Sequence, residues 1–442
     1  QSALSYFEKA DSIDKLTLTS KYTNRKSYSS LWVGYCYYKL GKLDKAQEAN
    51  KYYWAKPVDR NLTIESDNYV ELADSLANEH DNYTEAIKLY KKCKKLWEDL
   101  KYDYHPYYAN LILNISLFCY YNGDIKESYE YYNIGHDLLT NSENLGDDYY
   151  EVLYFGMFLN MKKDNYKSAI SLGKELISYC NAKGNKERLG SAYCDMGDVY
   201  NNMDSLALAS TFKEKGIEIL RSVENADEER IEKEENTLYS IYKSSKKYEK
   251  CIEVLTQQNK RYSTSGKLNS NDYQDNLKLI SSLYSKLNDS KNAINIQNQY
   301  VDIQKKNNNK ENLATGLDDL ARFYEESGEH STARDIIENS LSIFHEIGDT
   351  ISSNYMSALN TSANIYSSLL LWNKASVSLG KSLEIGESYD LEGSSEYLRT
   401  LNIAMVIANI AGQNDIAKNL NLRVLKHHLS KESGVDSLLI AT

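Results

Sequence analysis

The stretch Leu320-Ala321-Arg322-Phe323-Tyr324-Glu325-Glu326-Ser327-Gly328-Glu329-His330-Ser331-Thr332-Ala333 sets out one structural unit in order. It holds an apolar helical face, a Tyr, a Gly break, and a small residue opening a second amphipathic run. Leu317, Leu320, Ala321 and Tyr324 fall three and four residues apart, as do Ile336, Ile337, Leu341 and Phe344 beyond the break. Each set lines one side of an α-helix. Gly328 can take the left-handed conformation that ends the first helix. The same arrangement stands earlier in the chain, in Leu31-Trp32-Val33-Gly34-Tyr35-Cys36-Tyr37-Tyr38-Lys39-Leu40-Gly41-Lys42-Leu43-Asp44-Lys45-Ala46.

Aligned on its last small residue, the unit recurs at Ala46, Ala86, Ser128, Ala169, Ala209, Cys251, Ala293, Ala333, Ala375 and Ala417, with intervals of 40 to 42 residues. Nine positions before these anchors stand Tyr37, Ala77, Cys119, Asn160, Tyr200, Tyr242, Tyr284, Tyr324, Tyr366 and Ala408. Tyr spans an apolar contact and still reaches a polar partner with its hydroxyl. Each unit reads as helix, tight turn, helix, then a longer connection such as Lys305-Lys306-Asn307-Asn308-Asn309-Lys310. A helix pair cannot bury both its faces alone, so the pairs must stack, and the fold expected is an all-α solenoid. The chain opens inside a repeat, with Ala3 lying 43 residues before Ala46. The expected organisation is one array over 1–430: a partial repeat at 1–20, then ten repeats whose second helices start near the ten anchors. Residues 431–442 are read as a cap or the start of a further domain.

Composition excludes several classes. Among 442 residues, 63 Asp and Glu outweigh 52 Lys and Arg, a formal charge of −11 that disfavours a phosphate-backbone binder. No apolar run approaches the ~18–20 residues of a membrane span. The six cysteines form no CxxC or Cys/His ligand set, so no metal or cofactor is expected, and buried reduced thiols suit a cytoplasmic location. Glycine-rich phosphate loops, HExxH and GxSxG are missing. The remaining route to an enzyme is a Cys/His dyad such as Cys180 with His136, although nothing local would lower the thiol pKa. The acidic run Asp227 to Glu235 is read as a solvated helix start.

The small residues Gly34, Gly197, Ala321 and Ala363, the Tyr series, the breaks at Gly41, Gly123, Gly328 and Gly412, and the anchors together resemble the tetratricopeptide repeat family over nearly the whole chain. The period is longer than the family's usual one and is similar to the variety in kinesin light chains and in bacterial sensor or protease-associated arrays. Asp103-Tyr104-His105-Pro106-Tyr107-Tyr108-Ala109-Asn110-Leu111-Ile112-Leu113-Asn114 is similar to the His-Pro-x-x-Ala-x-x-Leu-x-Asn stretch of that variety. The resemblance implies a right-handed superhelix of about ten helix pairs that binds a protein or peptide on a concave face lined by first helices. It also implies an alternative, the regulatory arm of a larger protein with a C-terminal effector such as a caspase-like protease of the CHAT type or a bacterial signalling module.

Candidate binding residues follow from position and chemistry. Of 39 tyrosines, 27 precede residue 222. Tyr35 and Tyr38 share one face of the first repeat and Tyr120 sits on the corresponding face of the third; packing between helices is the competing use of such stripes. Asn360 and Asn364 lie one turn apart, near Arg399 and Asn402 of the next repeat. In this family an Asn ladder suits peptide-backbone recognition, and Arg399 could pair a carboxylate. The competing reading is a solvated polar surface in an Asn-rich chain.

Overall fold

The structure, a computed structural model, describes residues 37, 45, 60–100, 106–140, 149–389, 391–410 and 412–433. It divides into two compact units, Gln1–Met203 and Asp204–Thr442. In the first unit the described helices are α1 (Arg60–His80), α2 (Tyr83–Asp99), α3 (Pro106–Tyr121), α4 (Ile125–Thr140), α5 (Tyr149–Lys162), α6 (Tyr166–Lys183) and α7 (Lys186–Asn202). In the second they are α8 (Leu206–Arg221), α9 (Glu228–Ser244), α10 (Tyr248–Thr264), α11 (Asn271–Lys286), α12 (Ser290–Lys306), α13 (Lys310–Glu326), α14 (His330–Glu346), α15 (Ser353–Ser368), α16 (Trp372–Ser388), α17 (Ser395–Ile410) and α18 (Asn414–Ser433). No strand occurs among the described residues, and none of their helices is long and apolar enough to cross a membrane. Within each unit every described helix packs on its described sequence neighbours, and first helices also stack, α13 on α15 and α15 on α17. This is an α-helical repeat solenoid.

The anchors explain the register. Ala86, Ser128, Ala169, Ala209, Cys251, Ala293, Ala333, Ala375 and Ala417 are each the fourth residue of an even-numbered helix, and all are buried. Their smallness allows two backbones to close up. Between α3 and α4 the approach is near enough for Ser116 Oγ to donate to the Ser128 carbonyl (2.6 Å) and Ser128 Oγ to the Ser116 carbonyl (2.7 Å). Cys251 repeats the contact with its thiol on the Tyr239 carbonyl, 3.8 Å away. Ala46 lies outside the described residues.

The turn is equally regular. Five residues before each of these nine anchors the backbone turns left-handed, at Asp81, Gly123, Asp164, Asp204, Lys246, Asn288, Gly328, Leu370 and Gly412. At seven of the nine turns the carbonyl nine before the anchor accepts the N–H five residues on, as from Asp289 to Tyr284 (2.9 Å), Glu329 to Tyr324 (2.9 Å) and Leu371 to Tyr366 (2.7 Å). This Schellman closure satisfies carbonyls that a helix end would otherwise orphan. The Tyr at that position also uses its hydroxyl: Tyr242 donates to Glu214 and Tyr366 to Glu338 (2.9 Å), each Glu standing five residues after the preceding anchor. Many of the tyrosines are thus fastened to acidic neighbours, Tyr90 to Asp74 (2.7 Å) and Tyr108 to Glu98 (2.7 Å) among them.

Leu370 is the least suited of the nine turn residues, since its φ is +58° and its side chain is 69% exposed. Left-handed backbone costs an L-residue ~1–2 kcal/mol, and this side chain recovers little by burial. Leu370→Gly is expected to stabilise the protein by about 1 kcal/mol in urea unfolding. A loss of stability would contradict the turn geometry.

The expected apolar seam is present: Leu317, Leu320 and Ala321 on α13 and Ile337 and Phe344 on α14 are buried, with Ile336 and Leu341 packed against them half-buried. The acidic run differs from its reading as a solvated start. Asp227 caps α9 by accepting the Arg230 N–H (3.1 Å), and Glu228 and Glu229 are exposed. Glu235 is buried, however, because α8 and α10 bring Arg221 and Arg261 onto its carboxylate.

Candidate functional site

First-helix residues 22, 18, 15, 14 and 11 positions before an anchor share one side of the helix, by the 3.6-residue period. On α9 these are Glu229, Lys233, Asn236, Thr237 and Ser240, and they line an open cleft of about 1170 Å³. On α9 this register therefore faces outward. Further along the second unit it carries Asp318, Asp319 and Arg322 on α13, then Ser357, Asn360, Thr361 and Asn364 on α15, then Arg399 and Asn402 on α17. In the first unit the same register is more aromatic, with Tyr154, Phe155 and Phe158 on α5.

Stacking of α13, α15 and α17 joins these groups into one polar cluster. Ser357 Oγ donates to Asp318 Oδ2 at 2.7 Å. Arg399 reaches Ser357 Oγ and Thr361 Oγ1, each at 3.5 Å, and lies 3.6 Å from Glu396 Oε2. Asn360 Nδ2 donates to the Glu396 carbonyl at 3.1 Å, crossing from α15 to α17. Arg322 is held by Asp319.

The acceptors of this cluster are not all satisfied. Asp318 Oδ1 and Asn360 Oδ1 are covered and have no hydrogen-bond partner, and Glu396 Oε2, covered as well, has only the 3.6 Å approach of Arg399. Asp318 is 5% exposed and Asn360 fully buried. Burial, reinforced by the neighbouring Asp319 charge, pushes the Asp318 carboxyl up to about 6. An unmet buried acceptor costs ~1–3 kcal/mol, more when charged, so this cluster is expensive to maintain.

The structure thus brings Asn360 and Arg399 together and leaves Asn364 half-buried and Asn402 exposed further along the same register. Asp318 and Glu396, absent from the candidates drawn from sequence, complete the group. Tyr120, half-buried on α3, packs edge-on against Phe155 (centroids 6.0 Å) and Phe158 (5.3 Å) of α5. Tyr35 and Tyr38 lie outside the described residues. Cys180 is buried on α6, and burial pushes its thiol up to about 11. Cys93 and Cys119 are likewise raised, to about 11 and about 12, chiefly by burial. Burial thus disfavours the thiolate form on which nucleophilic chemistry depends. His136 stacks on Tyr132 (5.5 Å) and Tyr149 (6.5 Å), and no hydrogen bond joins it to Cys180 among the described residues. No group of three His, Cys, Asp or Glu among the described residues is placed to hold a metal ion.

The tetratricopeptide repeat model matches residues 279–307, within the α11–α12 pair. No curated protein matches the chain. Among solved structures, the C-terminal part of a TPR repeat-containing protein from Cytophaga hutchinsonii is similar at 16% identity, covering 62% of this chain and 95% of that one, with a TM-score of 0.42. The apo form of RapI is similar at 13% identity, with 85% and 99% covered and a TM-score of 0.42. A putative kinesin light chain from Podosopora anserina with TPR-like repeats is similar at 16% identity, with 46% and 98% covered and a TM-score of 0.38. The chain is thus an array of helical hairpins recurring every 40 to 42 residues and closed by the same turn, one pair of which matches the tetratricopeptide repeat model.

Proposed function

We propose that the chain is a protein-recognition scaffold without a catalytic centre of its own, and that it receives an extended peptide segment along the first-helix face of α13, α15 and α17. The observation that carries this reading is the set of three buried acceptors on three successive first helices, two without a hydrogen bond and the third met only by Arg399 at 3.6 Å. Stability alone would select against leaving them so poorly met, whereas a ligand rich in N–H groups would satisfy them. Asn364 and Asn402 lie on the same faces, with side-chain amides able to grip a peptide backbone through two hydrogen bonds. The buried thiols Cys93, Cys119, Cys180 and Cys251 fit a reducing compartment such as the cytoplasm.

Panning a phage-displayed random 12-mer library against the full chain tests the reading. Recovered peptides are expected to bind the Asn364→Ala/Asn402→Ala double variant about tenfold more weakly, the loss of roughly 1.4 kcal/mol of hydrogen bonding. Tyr120→Ala, on the aromatic group of the first unit, is expected to leave their affinity unchanged. Equal affinity for wild type and double variant, or weakening by Tyr120→Ala alone, would move the binding face elsewhere.

A further inference from the structure

Resting on the peptide-binding reading, we propose that the Asp318–Asn360–Glu396 cluster is a pocket for a basic side chain, of arginine type, carried by the bound peptide. Charge and hydrogen-bonding capacity point to the same group. Within the cluster, the carboxylates of Asp318, Asp319 and Glu396 face the guanidiniums of Arg322 and Arg399; three negative charges against two positive leave one negative charge uncompensated. Two acceptor atoms, Asp318 Oδ1 and Asn360 Oδ1, have no hydrogen bond, and a third, Glu396 Oε2, is met only by the long approach of Arg399 at 3.6 Å. A guanidinium supplies one positive charge and five N–H donors in a rigid fork, so it answers both deficits at once. A peptide backbone alone supplies donors without charge. An acidic side chain would bring more acceptors and a second uncompensated charge.

Asp319 already holds Arg322, leaving Arg399 as the cluster's loosely held cation. All three of its contacts, to Ser357, Thr361 and Glu396, lie at 3.5–3.6 Å, the long limit of a hydrogen bond, and its side chain is 30% exposed. Arg399 is the side chain whose displacement admits the ligand. It repels a second cation while in place, so the pocket opens only to a ligand that also gains from the flanking amide contacts.

A positional-scanning hexapeptide library, read by fluorescence polarisation against the full chain, tests the pocket. The expected result is selection of Arg at one position. That selection falls at least tenfold in Asp318→Asn and in Glu396→Gln, with preferences at the other positions retained. Arg399→Ala is expected to raise affinity for the selected peptides. Free argininamide is expected to bind far more weakly than those peptides; equal binding would overturn the peptide as carrier. Peptides that bind with no basic preference, or with one that survives Asp318→Asn, overturn the pocket while leaving the recognition face intact. Selection of Asp or Glu that Arg399→Ala abolishes would overturn it too, by making Arg399 the reading group. Failure of any peptide to bind would sink the face and the pocket together.

Discussion

Glu235→Ala is expected to cost roughly 3 kcal/mol, the largest loss from any single truncation considered for this chain. The carboxylate is 2% exposed and accepts from Arg221 and from both terminal nitrogens of Arg261, Nη1 at 3.0 Å. Removing it deprives Arg221 of its ion pair and leaves Arg261 only the longer approach to Glu228 (3.5 Å) at the α8–α9–α10 contact. Breaking a buried pair typically costs ~3–5 kcal/mol, and the partial exposure of Arg221 (38%) and Arg261 (30%) places this case at the lower end. Because a repeat array loosens locally, the readout is hydrogen exchange, with the most protected amides of α8, α9 and α10 exchanging roughly a hundredfold faster. Unchanged exchange there would show that the guanidiniums do not depend on Glu235.

Asp318→Asn is expected to do the opposite, stabilising the free protein at neutral pH by up to roughly 3 kcal/mol while weakening its ligand. Burial raises the folded-state pKa of Asp318 from 3.8 to about 6. Between those values the folded state keeps a proton that the unfolded state has lost, so stability falls as pH rises through that window and levels off above it. Asn cannot ionise, so the gap between variant and wild type should widen from pH 4 to pH 6 and stay constant to pH 8. The difference is the useful quantity, because Asp67 in the first unit is itself pushed up to about 7 by burial and by Glu71. A gap that narrows with rising pH, or a variant less stable than wild type at pH 7.5, would show that the carboxylate is well accommodated.

Most of the fold is legible because close helix contact requires a small residue at a fixed place. Nine described anchors fall at the same helical position, from Ala86 to Ala417. The turn was only partly visible: Gly marks it at Gly123, Gly328 and Gly412, whereas Asp81, Lys246 and Leu370 adopt the same left-handed backbone without advertising it. The site was harder to find. Asn360 and Arg399 stand out by type and spacing, but Asp318 and Glu396 look like ordinary charges on a solvated helix face. Burial between stacked first helices is a tertiary effect that no local pattern carries. One signal was available for Asp318, which stands 15 residues before its anchor, as Asn360 and Asn402 do before theirs. Glu235 escaped for the same reason, since a run of glutamates hides the one that the packing of α8 and α10 buries.

The most direct test is a crystal structure of the full chain bound to an arginine-bearing peptide selected from the hexapeptide library. The expected result is a guanidinium within about 3 Å of the Asp318, Asn360 and Glu396 oxygens, with Arg399 turned aside. A peptide seated instead against Tyr120, Phe155 and Phe158, or one that leaves those three oxygens untouched, would contradict the account.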